Sequence, residues 1–278
     1  NVTGFNLTQL LIGSEGTLAV VTKLIIKLIP LPKIKKTLMV PFPTLEAASK
    51  TVPDIMKRGI IPCAMELMEK SVIQCAMEHI QKEFPNADAA AQILIEVDGN
   101  DEDQLFKEAE IISEVALANG ALDVLIAENS EKQNELWDIR RACGEAVKKK
   151  SIYKEEDTVV PRAQLPQLIS GVKKIADEYE LNTYCYGHAG DGNIHVNILK
   201  EEMSEEKWQN ELPEAIKEIF KLTVSLGGTI SGEHGIGYVQ KGYLPIALSE
   251  ENLNIQKEIK NAFDPQKILN PKKLFPEI

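Results

Sequence analysis

No stretch of this sequence approaches the roughly 18 consecutive apolar residues that a membrane span takes. The richest run, Leu18 to Ile29, is cut by Thr22, Lys23 and Lys27. Disulfide chemistry is missing as well. Cys63, Cys75, Cys143 and Cys185 form no CxxC pair and no framework, so the cytoplasm, a reducing compartment, is the expected setting. There is no basic surplus either: 31 basic against 42 acidic side chains leave a net charge of −11. That argues against nucleic acid or an anionic membrane as the main partner, while leaving room for a local basic pocket. Internal repeats and low-complexity segments are absent. No secretory leader opens the sequence and Asn1 is not an initiator methionine, so the chain is expected to start inside a longer polypeptide. What is present is an ordinary globular composition, 44% hydrophobic and 26% charged, over 278 residues. That length supports a sizeable core in one or two domains.

Periodicity and punctuation divide the chain. Asn6–Ile12 reads as a short helix, and Leu18–Ile29, rich in β-branched residues, as one long strand or two. Pro30 and Pro32 predict a boundary near residue 32. Strands are then predicted over 37–42, 61–68, 92–97 and 122–127. Helices are predicted over 44–57, with Thr44 as N-cap, 71–83, from Asp101 or Asp103 to Asn119, and 131–149. Gly120 suits a left-handed stop. Further helices are expected over 165–179, 204–226 and 249–263. The strand–helix alternation alone is compatible with a parallel sheet. A hairpin signal at Asp191-Gly192 and short strand-to-strand steps favour α+β with a mainly antiparallel sheet flanked by helices.

Histidine is scarce: four residues, of which His188, His195 and His234 lie in two glycine-rich stretches. His79 sits on an amphipathic helix and reads as structural. In Tyr186–Asn197 (YGHAGDGNIHVN), a two-residue turn centred on Asp191-Gly192 would pair His188 with His195. Opposed side chains of that kind are about 4.5–5.5 Å apart at Cβ, close enough to share a metal ion. The same parity puts Tyr186 and Asn197 on the histidine face. In the second stretch, Gly232-Glu-His-Gly-Ile-Gly237, Glu233 could complete a His188/His195/Glu233 site with open positions, and His234 beside it suits a general base. The plain alternative is a glycine-rich surface loop.

Four motifs stand in order: GSEGT (Gly13–Thr17), YGHAGDGNIH (Tyr186–His195), SGEHGIG (Ser231–Gly237) and LNPKKLF (Leu269–Phe275). Together they resemble the FAD-linked D-2-hydroxy-acid dehydrogenases of the vanillyl-alcohol-oxidase flavoprotein superfamily, a group including D-lactate dehydrogenase and the glycolate oxidase D subunit. The resemblance implies a ferredoxin-like substrate-binding cap over residues 33–262. The end of an FAD-binding domain would cover 1–32, and a flavin-contacting tail 263–278. It implies a divalent metal (Zn, Mn or Fe) held by His188, His195 and Glu233, and a proton acceptor in His234. Arg140, in Trp137-Asp-Ile-Arg140, would clamp the substrate carboxylate, an acid that the guanidinium fork fits. Lys154 is a second substrate contact on the same resemblance. Gly13, Ser14, Glu15, Gly16, Thr17 and Asn270 would approach FAD.

Members acting on D-2-hydroxyglutarate carry threonine one turn after the arginine, where Gly144 stands here. A small monocarboxylate such as D-lactate or glycolate is therefore the expected substrate. The family's main flavin-gripping region is not in this sequence, so the chain is expected neither to hold FAD nor to turn over by itself. The electron acceptor implied is electron-transfer flavoprotein, a quinone or a partner subunit, and a homodimer is one option for assembly. From the residues alone, a metal-dependent hydrolase and a non-catalytic metal-binding module remain alternatives.

Overall fold

The computed structural model describes residues 2–276, so Asn1 and residues 277–278 of the expected end segments lie outside it. In chain order the elements are α1 (Leu7–Leu10), β1 (Ile34–Phe42), α2 (Leu45–Lys57), β2 (Ala64–Glu69), α3 (Lys70–Ile80), β3 (Ala91–Gly99) and α4 (Glu102–Ala118). There follow β4 (Leu125–Ile126), α5 (Ser130–Lys150), β5 (Tyr153–Val159), α6 (Leu165–Glu178), β6 (Asn182–Gly187) and β7 (Asn193–Leu199). The last helices are α7 (Glu205–Asn210), α8 (Leu212–Ser225), α9 (Leu244–Ala247) and α10 (Glu250–Phe263). The strands form one sheet in the order β4-β1-β3-β2-β6-β7-β5, every named pair antiparallel. This is the α+β architecture expected from the sequence.

Alternation along the strands builds two cores. Leu38, Val40 and Phe42 of β1 and Ile93, Ile95 and Val97 of β3 point to the larger one, under α2, α4, α6 and α8. Met39, Leu94 and Leu199 point the other way, beneath α3 and α5. Side-chain caps start the helices: Thr44 accepts from the Ala47 amide (3.1 Å), Asp101 from Gln104 (3.1 Å) and Ser249 from Asn252 (3.3 Å). A cap of this kind contributes about 1 kcal/mol.

Two expectations are corrected. Leu18–Ile29 is not a strand, and its large apolar side chains from Val20 onward face solvent, Ile25 at 96% exposure, while Leu18 is buried. A strand holds through its ladder, and no other described strand lies against this one. The helix expected over 204–226 is two, α7 and α8, broken at Glu211 with Pro213 in the first turn of α8, where its missing N–H does no harm. The edge strand β5 has no counterpart among the expected strands, because Lys154-Glu155-Glu156-Asp157 lacks the apolar alternation of a strand. All four cysteines are free thiols. Among the described residues no helix is long and apolar enough to cross a membrane.

Candidate metal centre and carboxylate clamp

The hairpin register differs from the one expected. Tyr186, not His188, lies opposite His195, and Tyr184 opposite Asn197. A two-residue turn needs positive φ at both central positions, and here Gly192 has it (φ 78°) while Asp191 ends a short 3-10 turn begun at Ala189. The link is therefore five residues, 188–192. Only glycine fits at 192, since a Cβ there would meet the Val160 carbonyl oxygen at 2.1 Å. His188 leaves the ladder just after Gly187, yet its ring still reaches His195, with centroids 5.7 Å apart and planes at 80°.

The histidine face of the sheet is a polar lane. Asp157 of β5 lies opposite His195, and Glu155 opposite Asn197. His195 is 4% exposed and Asn197 is fully buried. Glu233 comes in from the loop after α8, its Oε1 lying 3.4 Å from His195 Nε2 and 3.5 Å from His188 Nε2. His234 stacks on His195, centroids 5.0 Å apart and planes 16° from parallel. The structure thus brings His188, His195, Glu233 and His234 together.

The loop carrying Glu233 and His234 hangs on Asp157. Its Oδ2 accepts from the Glu233 amide (2.7 Å), the His234 amide (2.8 Å) and the Ser231 hydroxyl (3.0 Å), and its Oδ1 from the Asn193 side chain (2.7 Å). Burial pushes the Asp157 carboxyl up, but these donors outweigh it and the net shift is downward. Glu15 supports the loop from the other side, accepting the amides of Ile236 (2.6 Å) and Gly237 (2.7 Å). Gly235 (φ 82°) passes so close that a Cβ would sit 2.8 Å from Glu15 Oε1. Asn270 donates to the Glu15 carbonyl (2.5 Å).

GSEGT and the tail are therefore a prop beneath the His234 loop. Ser14 and Thr17 donate to the Leu11 and Ser14 carbonyls, so the polar side chains of Ser14, Glu15, Thr17 and Asn270 are engaged internally. Gly13 and Gly16 take positive φ around Glu15.

Arg140, on α5, meets Glu66 of β2: Nε and Nη2 reach Oε2 at 2.9 and 2.7 Å. Glu66 Oε1 holds His188 Nδ1 at 2.9 Å. Burial works to raise the Glu66 carboxyl; His188 and Arg140 together bring it below its usual range. The same hydrogen bond raises the pKa of His188. His195 is pulled down to about 4, chiefly by burial, so it is neutral at physiological pH. Lys154 is not brought to the cluster. The pleat turns it, like Glu156, to the face opposite Glu155 and Asp157.

The donors fit a divalent ion. Bonds of roughly 2.1 Å in a tetrahedral shell place neighbouring donor atoms roughly 3.4 Å apart, the spacing of Glu233 Oε1 from both Nε2 atoms. One nitrogen of His188, His195 and one oxygen of Glu233 all lie within 4.8 Å of one another. Buried His195 Nδ1 and Asn197 Oδ1 meet no hydrogen-bond partner among the described residues. His195 Nδ1 stands 3.7 Å from both Glu155 and Asp157, which favours a proton there and a lone pair on Nε2. Glu66, Glu155 and Asp157 went unnoticed in the sequence. The available signal for Glu66 was a lone carboxylate among the apolar residues of Ala64–Met68.

Residues 31–274 match the family model described as FAD linked oxidases, C-terminal domain. The chain is 36% identical over 276 residues to glycolate oxidase subunit GlcD of Bacillus subtilis, covering 99% of this chain and 58% of that protein. It is 35% identical over 277 residues to D-lactate dehydrogenase of Anaerostipes hadrus, covering 98% and 58%. The chain thus spans under two thirds of these relatives' length. Among solved structures, 4-ethylphenol oxidase from Gulosibacter chungangensis superposes with a TM-score of 0.63 at 15% identity, over 90% of this chain and 55% of that one. An alkyldihydroxyacetonephosphate synthase superposes with a TM-score of 0.62 at 16% identity, over 98% and 51%.

Proposed function

This chain belongs to the FAD-linked oxidases by their C-terminal domain, and from that premise we propose that it is the substrate-binding part of a dehydrogenase of small D-2-hydroxy acids. The observation that carries the reading is the convergence of a carboxylate-binding arginine, a His₂–carboxylate donor set and His234, stacked on His195, over one sheet face. Relatives named as glycolate oxidase subunit and D-lactate dehydrogenase support a short 2-hydroxy acid as substrate. A hydrolase or a simple metal-binding module would leave the family match without a reason.

Each residue has one task in this reading. Arg140 binds the substrate carboxylate, and Glu66 already occupies its Nε–Nη2 side, so one further carboxylate is accommodated. His188, His195 and Glu233 would hold a divalent ion, and His234 takes the proton of the C2 hydroxyl. When bound, the ion would acidify that hydroxyl and FAD would accept the C2 hydrogen with its electron pair, leaving the 2-oxo acid. Lys154, on the other face of an edge strand, is the weakest of the proposed substrate contacts.

On this reading residues 1–32 belong with an FAD-binding domain, residues 33–262 form the cap and the tail from 263 lies against the flavin side. The exposed side chains of Val20–Ile29 support an assignment to a sheet outside this chain. The free thiols support a cytoplasmic setting. Electrons would leave for an electron-transfer flavoprotein, a quinone or a partner subunit. The test is dye reduction by the flavin-loaded longer protein, offered D-lactate, glycolate and D-2-hydroxyglutarate in turn. The monocarboxylates should give the higher kcat/KM, and a clear preference for the dicarboxylate would sink the reading. This chain alone should purify colourless.

A further inference from the structure

Glu66 hydrogen-bonds to both halves of the site, to Arg140 and to His188. Its neighbours Met65 and Leu67 point into the main core, which turns Glu66 to the opposite face. Leu67 pairs with Gly187, so Glu66 falls opposite the next residue, His188, just where the chain leaves the ladder. The carboxylate is 8% exposed and divided between two partners. Oε1 takes His188 Nδ1 at 2.9 Å, and Oε2 takes Arg140 Nε and Nη2 at 2.9 and 2.7 Å.

Resting on the reading just given, we propose that Glu66 is a positioning residue that locks the carboxylate clamp and the metal-ligand histidine into one rigid unit. Two consequences follow from the geometry. A carboxylate accepts only, so the proton of neutral His188 is held on Nδ1 and the Nε2 lone pair is aimed towards Glu233. And because the Nε–Nη2 side of Arg140 is already bound, the guanidinium offers its remaining side at a fixed distance from the ligand cluster. An amide at 66 cannot do this. It accepts through one atom and donates through the other: with its oxygen on Arg140 it offers an N–H to His188 Nδ1, which moves the His188 proton to Nε2 and takes the lone pair away from the metal side.

The test uses this chain, with cobalt(II) as the metal probe followed by visible absorption, and ¹⁵N shifts of the histidine ring nitrogens in the metal-free protein. Glu66→Gln should weaken cobalt binding by about 10–100-fold. It should also move His188 from the Nδ1–H towards the Nε2–H tautomer, with His195 unchanged. Glu66→Asp, which keeps both acceptors on a shorter arm, should recover part of each effect and guards against a Gln variant that fails to fold. Cobalt affinity within twofold of the parent and an unmoved His188 tautomer would overturn the proposal. Glu233→Gln separates the two ideas. If the parent binds no cobalt, or Glu233→Gln binds it as well as the parent, the metal reading fails, while the His188 ring shifts still decide what Glu66 does.

Discussion

A carboxylate that accepts four hydrogen bonds is an anchor, and Asp157 anchors the loop on which the proposed base rides. Two of its donors are the amides of Glu233 and His234 themselves, so their position is set by a residue 76 or 77 positions away in sequence. Asp157→Asn keeps the shape but offers an NH₂ to N–H donors that need an acceptor. An orphaned buried donor costs about 1–3 kcal/mol, and two are at risk. We expect Asp157→Asn to lower unfolding free energy by about 2–4 kcal/mol and to weaken cobalt binding through a displaced Glu233. Urea titration and the cobalt spectrum measure the two. The sign with pH follows from the direction of the shift. The folded-state pKa of Asp157 lies below its ordinary 3.8, so its contribution is present above that pH and is lost as pH falls through the folded value. Asp157→Asn should therefore shed part of the acid limb of the stability curve. An Asn variant with the parental acid limb would show that the four donors stabilise little.

At the scale of an element, α5 explains why one helix carries so much of the site. Trp137, Arg140 and Gly144 recur at spacings of three and four, which is one helical face. Trp137 Nε1 donates to buried Glu96 (2.9 Å), which also accepts from Thr37 (3.0 Å) and Lys35 (2.8 Å). Arg140 meets Glu66, and Gly144 faces the Tyr186 hydroxyl, 3.1 Å from where a Cβ would be. Mid-helix glycine costs about 1 kcal/mol relative to alanine, and here the tyrosine uses the space. Gly144→Ala should be close to neutral by urea denaturation, the helical gain offset by a tight contact. Gly144→Thr adds atoms that the ring must yield to. A loss of about 1–3 kcal/mol is expected, with a weaker grip on Arg140, whose guanidinium stands 5.2 Å from the Tyr186 ring centroid. Unchanged stability of the threonine variant would show the contact to be soft. Elements such as α5 were legible because caps and 3.6-residue periodicity are local. Leu18–Ile29 departs from its expectation for the opposite reason: its residues favour β structure, but a strand needs a ladder, and no described strand lies against it.

At the scale of the whole molecule, the same division holds. The antiparallel sheet and its helical layers could be argued from short strands and turns, and the histidine cluster from motifs whose residues stand close in sequence. The contacts that complete the cluster could not, because Glu66, Asp157 and Glu15 reach it across 122, 76 and 221 positions, the first two through strand parity and Glu15 from a turn. Parity also buries a charge that serves no site. Glu156, between Glu155 and Asp157, turns to the main-core side of the edge strand, 4% exposed, with Gln240 Nε2 donating to it at 3.0 Å. Burial pushes its carboxyl up to about 8, with Glu155 and Asp157 adding to the rise and Lys154 and Gln240 opposing it. The folded state thus binds a proton that the unfolded chain releases near the ordinary 4.5. This group's contribution is complete below that pH and is lost as pH climbs through about 8. Glu156→Gln keeps a carbonyl oxygen for Gln240 and has no charge to bury. Its stability should match the parent's near pH 4.5 and exceed it by a few kcal/mol, in order of magnitude, near pH 8.5. Urea midpoints across that range would read the difference directly. Parallel profiles for the two proteins would mean that Glu156 ionises without penalty and that the edge strand opens to water where it looks sealed.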